Sequence, residues 1–213
     1  MVRIGIIPAA GRAIRFGRIP KELLPLPDGR ALIDHAIDRL SFCDRVVVVT
    51  NSRKEPFHNA IVGGRVTLVY QQGNEMLGAW LTACGLYRAD HYYMTMPDTY
   101  IKRDAFADCP HDKDFTLGVF ETFEPARFGV IEDGLVHDKH KAAATPATAW
   151  GALAWSDDIY RLWLDKKVWD YTVAINEALK CAGLHTWQIG EYHDCADAYR
   201  YGQLWDVLRG RLE

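Results

Sequence analysis

Arg3-Ile4-Gly5-Ile6-Ile7-Pro8-Ala9-Ala10-Gly11-Arg12-Ala13-Ile14-Arg15-Phe16-Gly17-Arg18-Ile19-Pro20-Lys21-Glu22-Leu23-Leu24-Pro25-Leu26 is the stretch on which the reading of the chain turns. It opens as a short apolar run, breaks into small residues and arginines, and returns to apolar residues after Pro20-Lys21. A buried strand followed by such a loop is where an α/β sheet receives phosphates, because uncrowded backbone N–H groups can converge on anionic oxygens. Arg12, Arg15, Arg18 and Lys21 add four positive charges within ten positions, a density suited to a triphosphate.

The loop matches neither G-x-G-x-x-G nor G-x-x-x-x-G-K-[ST], and a turn rich in Ala and Gly also serves simply as a tight turn. Composition narrows the field. With 213 residues, 49% of them apolar and seven tryptophans, the chain can bury the core of one generous α/β domain. A net charge of −3 without basic tails argues against a nucleic-acid surface. No apolar run reaches membrane-spanning length and no leader precedes the first strand, so the expectation is a cytoplasmic protein without membrane association. The five cysteines form no metal or disulfide framework and are expected to be reduced and packed.

Beyond the loop, Leu32, Ile33, Ala36, Ile37 and Leu40 fall at helical spacing, and Val46–Thr50 is a continuous apolar strand. A helix over 55–62, a strand over 66–70, a helix ending near Tyr87 and a strand from His91 into Pro97-Asp98 continue the alternation. Alternating β and α elements imply a parallel sheet wound right-handedly, with ligands at the carboxyl ends of its strands. From residue 114 the chain turns strand-rich: 115–122, 135–137 and 147–155, then helices over 157–164 and 169–179, a strand over 186–191 and a final amphipathic helix.

Several stations along this order together resemble the sugar-phosphate nucleotidyltransferases. Ala10-Gly11-Arg12-Ala13-Ile14-Arg15, Pro20-Lys21-Glu22-Leu23-Leu24-Pro25 and Leu32-Ile33-Asp34-His35 stand at the family's (A/G)-G-x-G-T-R, P-K-x-L-L-P and L-I-D-H, with Ala13 and Ile14 replacing a glycine and a threonine. Gln71-Gln72 through Gly78-Ala79 resembles Q-x-x-x-L-G-x-A, Gln72 being the better-spaced of the two amides and Gln71 the alternative. Pro97-Asp98-Thr99 resembles (G/P)-D-(N/T/V), Arg127-Phe128-Gly129-Val130 the family's R-Y-G-V, and Asp138-Lys139-His140 its E-K-P. Tyr192-His193-Asp194-Cys195-Ala196-Asp197 resembles W-x-D-x-G-T, with Ala196 and Asp197 as departures.

The resemblance implies a Rossmann-like three-layer α/β/α sandwich with a mostly parallel central sheet and a smaller acceptor-binding β portion. It implies one domain over 1–213, with a nucleotide-binding half over about 1–113 and a sugar-phosphate-binding half over about 114–213. The implied reaction is Mg²⁺-dependent transfer of a nucleotidyl group from a nucleoside triphosphate (UTP, dTTP or CTP) to a phosphorylated small acceptor, first a sugar 1-phosphate. Arg15, Lys21 and Asp98 would be catalytic. Ala9, Ala10, Gly11, Arg12, Ala13, Gln72 and Gly78 would bind nucleotide, Gly129, Asp138 and Lys139 the sugar phosphate, and Asp98 with Asp194 the Mg²⁺. Read without the resemblance, Asp98 and Asp194 are each candidates for helix capping, and residues 137–141 for a charged, solvated hairpin tip.

Two further readings remain open at this level. A cytidylyltransferase acting on phosphocholine, a polyol phosphate or a phosphonate would use the same chemistry, and Tyr192, Trp150 and Trp155 are candidates for an aromatic cage around a cationic head group. The departures at 13, 14, 196 and 197 would also suit a non-catalytic nucleotide-sugar-binding regulatory protein. Homo-oligomerisation is compatible with either.

Overall fold

The structure is a computed structural model that describes residues 1–12, 16, 19–61, 63–72, 75–101, 105–139 and 145–210. Its centre is a sheet whose main path runs β10 (Thr186–Gln188), β6 (Phe115–Thr122), β9 (Ala147–Ser156), β4 (His91–Thr95), β1 (Arg3–Pro8), β2 (Arg45–Thr50), β3 (Val66–Tyr70). Along that path β9 alone runs against its neighbours, so the sheet is mostly parallel. The hairpin of β7 (Gly129–Glu132) and β8 (Leu135–Asp138) joins it through β9. The α/β sandwich anticipated from the sequence is what forms.

Strand β1 shows why both faces are covered. It reads Ile4, Gly5, Ile6, Ile7 with all four buried, and a strand apolar at successive positions must find cover above and below. On one face Ile4 and Ile6 pack with Trp80, Trp155 and Trp163 and with apolar residues of α3 (Met76–Leu86), α4 (Asp157–Asp165) and α5 (Tyr171–Ala182). On the other, Ile7 packs with Ile33, Ala36 and Leu40 of α1 (Leu32–Arg39) and its exit, and with Phe106, Trp187 and Ile189. Sealing of both faces withdraws the apolar strands from water, the dominant favourable contribution to folding.

The winding sets the position of the site. From β1 the chain steps outward through β2 and β3, then returns to place β4 on the other side of β1. A crevice opens at the carboxyl ends of strands whose connections diverge in this way. The loop after β1 and the turn after β4 both lead into it.

Some local boundaries differ from the sequence expectation. Helix 55–62 is a short α2 (Glu55–His58) followed by a 3-10 turn over Asn59–Ile61. The last strand of the main sheet ends at Gln188, and a separate two-stranded ribbon pairs β5 (Thr99–Ile101) with β11 (Tyr192–Asp194). Periodicity could not reveal three-residue strands whose partners lie about ninety positions apart in sequence. Asp197, not Asp194, caps the last helix α6 (Ala198–Leu208) by accepting from Arg200 N at 3.0 Å. Four cysteines are buried, Cys181 is exposed, and all five are free thiols. No helix among the described residues is long and apolar enough to cross a membrane.

Candidate active site

Asp98 sits in the turn between β4 and β5, only 7% exposed. Antiparallel pairing sets Asp194 opposite Thr99, and Cys195 N donates to the Asp98 carbonyl at 3.1 Å. Two acids 96 positions apart thus lie on adjoining backbone segments. Burial raises the Asp194 pKa and the nearby Asp98 charge raises it further, against the pull of Arg127, Lys21 and Arg200. Arg127 Nη2 meets the Asp194 carboxylate at 2.6 Å.

Lys21 forms an ion pair with Asp98 from the 3-10 turn Lys21–Leu23. Its burial alone would lower the ammonium pKa, but the contact with Asp98 and the charges of Asp194 and Glu22 outweigh this, and the net shift is upward. Lys21 is therefore a fixed positive charge on the rim of a cavity of about 330 Å³. Gly11, Arg12, Glu22, Lys54 and Asp98 also line that cavity.

The turn bearing Asp98 is held from behind by Arg39 of α1. Its Nε donates to Thr95 Oγ1 at 3.2 Å, and its Nη2 to the carbonyls of Met96 and Thr99 at 3.1 and 3.2 Å. Burial lowers the guanidinium pKa to about 10. Neither this residue nor Glu22, Lys54, Asn51, His58 or Arg127 stands out as a site residue in the sequence. For Arg39 the only signal is a lone arginine amid the apolar positions of a helix.

The other expected site residues divide into groups. Ala9 and Ala10 are buried, and Ala9 lines the cavity, but Ala9 N donates to Val49 O at 2.8 Å, so this N–H extends the sheet and is not available to a ligand. Gly11 and Arg12 are exposed beyond them. Ala13 and Arg15 lie outside the described residues, as does His140. Gln71, not Gln72, is the amide beside Gly78: a Cβ on Gly78 would come within 2.6 Å of Gln71 Nε2. That nitrogen donates to Glu75 O at 2.8 Å, while Gln71 Oε1 is buried without a partner among the described residues; Gln72 is exposed.

In the second half, Gly129 and Asp138 pair across the β7–β8 hairpin. Gly129 has a packing reason to lack a side chain, since a Cβ there would lie 2.2 Å from Trp150 Nε1. Lys139 follows with a positive φ of 53° and an exposed side chain 3.8 Å from the Asp138 carboxylate. The strand is linked to the acids through Arg127, two residues before Gly129. The aromatic cage does not form: Trp155 is fully buried among Trp80 and Trp163, and Tyr192 stacks on Phe120 at 4.0 Å. With Trp155 fully buried, neither face of that ring is open to a cation.

Asp98 and Asp194 suit a hard divalent cation. They are oxygen donors that repel one another in a partly buried place, a cost that a bound dication would relieve. Among the described residues no group of three metal-ligating side chains exists. A Mg²⁺ there would take its other ligands from water and phosphate, as that ion commonly does.

The crevice thus carries Arg12, Lys21 and Asp98 in its lining, with Asp194 on the ribbon strand that adjoins Asp98. Residues 5–109 match the model of the MobA-like NTP transferase domain. The fold as a whole is similar to that of a Bacillus anthracis protein described as a glucose-1-phosphate thymidylyltransferase and solved with sucrose: TM-score 0.84, 16% identity, 98% of this chain and 96% of that one covered. A UDP-glucose pyrophosphorylase complexed with UDP-glucose is similar at TM-score 0.79 and 18% identity, with all of both chains covered. The inositol-1-phosphate CTP transferase from T. maritima gives TM-score 0.78 and 13% identity over 98% and 95% of the two chains. No curated protein matches the sequence.

Proposed function

We propose that this chain transfers a nucleotidyl group from a nucleoside triphosphate to a sugar 1-phosphate, releasing pyrophosphate. The meeting of Lys21, Asp98 and Asp194 at the crevice between β1 and β4 is the observation that carries the reading. The acceptor phosphate has a second pKa of about 6, so it is already an anionic nucleophile and needs no general base. The task left to the protein is to bring two polyanions into line and neutralise them.

The chain's own residues divide that task. The loop from Gly11, with Arg12 and Arg15, takes the β and γ phosphates. Lys21 faces the α-phosphate, where charge is redistributed as the leaving pyrophosphate departs. Asp98 and Asp194 would hold Mg²⁺, which when bound would supply Lewis-acid stabilisation of phosphate charge. Lys21 and Arg127, each paired with one acid in the structure, are the cations within reach of incoming phosphate oxygens. Gly129, Asp138 and Lys139 form the acceptor side, with Arg127 as its link to Asp194. At the base, Gln71 Oε1 offers an unpaired acceptor to a ring N–H or amino group.

Transfer from CTP to a polyol phosphate is the second reading, favoured by the full-length likeness to the inositol-1-phosphate CTP transferase. The test is a matrix of UTP, dTTP and CTP against sugar 1-phosphates, inositol 1-phosphate and phosphocholine, read by pyrophosphate release with and without Mg²⁺. Release with UTP or dTTP and a sugar 1-phosphate supports the first reading, and release with CTP and a polyol phosphate the second. Triphosphate binding without release in any pairing would leave a nucleotide-binding protein.

A further inference from the structure

Beneath the cationic loop lies a buried charged cluster for which the proposed chemistry has no role. Glu22, Lys54 and His58 are 1%, 7% and 0% exposed. Lys54 Nζ donates to Glu22 Oε1 at 2.6 Å and to the Ala9 carbonyl at 3.0 Å. His58 Nε2 lies 3.0 Å from the same Glu22 oxygen, and its Nδ1 is 2.7 Å from Thr50 Oγ1. Three residues before Lys54, Asn51 Nδ2 donates to the Ala10 carbonyl at 2.6 Å.

A lysine–glutamate pair out of water is a poor way to stabilise a fold. Desolvation consumes much of the Coulombic gain, and apolar residues of similar volume commonly do as well or better. What this cluster does supply is geometry. Lys54 and Asn51 hold two consecutive carbonyls of the loop. Because a trans peptide is planar, with its C=O and N–H opposed, fixing the Ala9 and Ala10 oxygens also fixes the direction of the Ala10 and Gly11 N–H groups. The Gly11 N–H donates no hydrogen bond among the described residues, and Gly11 lines the cavity. The same cluster secures the other lip: Glu22 follows Lys21 in one turn, so anchoring Glu22 to Lys54 and His58 fixes the backbone from which Lys21 reaches Asp98.

We propose that Lys54 and Asn51 are positioning residues for the pyrophosphate end of the triphosphate, orienting the loop backbone at Ala10 and Gly11, with Glu22 and His58 keeping Lys54 in place. This rests on the nucleotidyltransferase reading. The Gly11 N–H is set before the ligand arrives, which lowers the ordering cost of binding. Asn51→Ala removes its hydrogen bond to the Ala10 carbonyl without leaving a buried charge. Lys54→Met removes the donor to the Ala9 carbonyl and leaves Glu22 with His58 as its side-chain partner, and Lys54→Arg retains a donor and its charge.

The probe is inorganic pyrophosphate with Mg²⁺, its affinity measured by titration calorimetry on each folded variant, alongside KM and kcat for the triphosphate chosen by the matrix above. Asn51→Ala and Lys54→Met are expected to weaken pyrophosphate about tenfold and to raise the triphosphate KM without changing the acceptor KM. Lys54→Arg should recover part of the loss. If Lys54→Met does not fold, Asn51→Ala decides alone. Pyrophosphate affinity within twofold of the parent in the folded variants, whatever their melting temperature, would overturn the inference. A parent protein that neither binds pyrophosphate nor turns over any triphosphate would instead remove the underlying reading, and this inference with it.

Discussion

Replacing Arg39 with methionine should loosen the acid-bearing turn, and the expected size follows from the groups it leaves behind. The side chain is 3% exposed and serves Thr95 Oγ1 and the carbonyls of Met96 and Thr99. Thr95 Oγ1 and the Thr99 carbonyl would lose this donor at about 1–3 kcal/mol each, so about 2–6 kcal/mol in all, while the Met96 carbonyl keeps Thr99 Oγ1 at 3.3 Å. Relief of a buried charge opposes this. Burial brings the guanidinium pKa down to about 10, and at about 1.4 kcal/mol per tenfold, losing that charge returns about 3 kcal/mol. The net expectation is a loss of up to about 3 kcal/mol, or up to about 10 °C in Tm for a chain of this length. Thermal unfolding followed by circular dichroism measures it, with pyrophosphate release assayed well below the transition. Release should fall at least tenfold even where the variant is fully folded, because Asp98 leaves its turn geometry, and Arg39→Lys should fall between. A Tm within about 2 °C of the parent together with unchanged release would refute the reasoning.

Asp98→Asn should keep the fold and lose about a thousandfold in pyrophosphate release, and removing divalent ions with a chelator should do the same to the parent; near-normal release in either case would take the acid or the metal out of the mechanism. Arg127→Ala should raise the acceptor KM about tenfold and leave the triphosphate KM near its parent value, whereas equal changes in both would show Arg127 to be structural. The Glu22 pKa is lowered because, although burial would raise it, the hydrogen bond from His58 and the charge and hydrogen bond of Lys54 prevail. An unfolded glutamate titrates at about 4.3, so the contribution of Glu22 to stability is complete above that pH and is lost as pH falls through its lower folded value. Glu22→Gln should accordingly flatten the decline of Tm as pH falls below about 4.3, and parallel profiles for parent and variant would contradict this.

The sequence by itself determined the layered α/β architecture, because apolar runs such as Ile4–Ile7 and Val46–Val49 must be covered on both faces and the helices between them carry one apolar side. It also pointed to Lys21, Asp98 and Asp194, since the motifs around them keep their order along the chain. What only the tertiary structure decided is how those residues meet. The pairing of Thr99–Ile101 with Tyr192–Asp194 is a contact between two three-residue strands with no periodic signature, yet it brings the two acids together. Gln71 rather than Gln72 lies against Gly78 because the end of β3 turns that amide inward, a matter of strand register. Buried polar residues were the least legible. Arg39, Glu22, Lys54 and His58 look like surface residues in a linear sequence, because each is balanced by partners distant along the chain. Trp155 and Tyr192 misled in the opposite sense, since aromatic rings that could surround a cation also fill a core, and only packing separates the two.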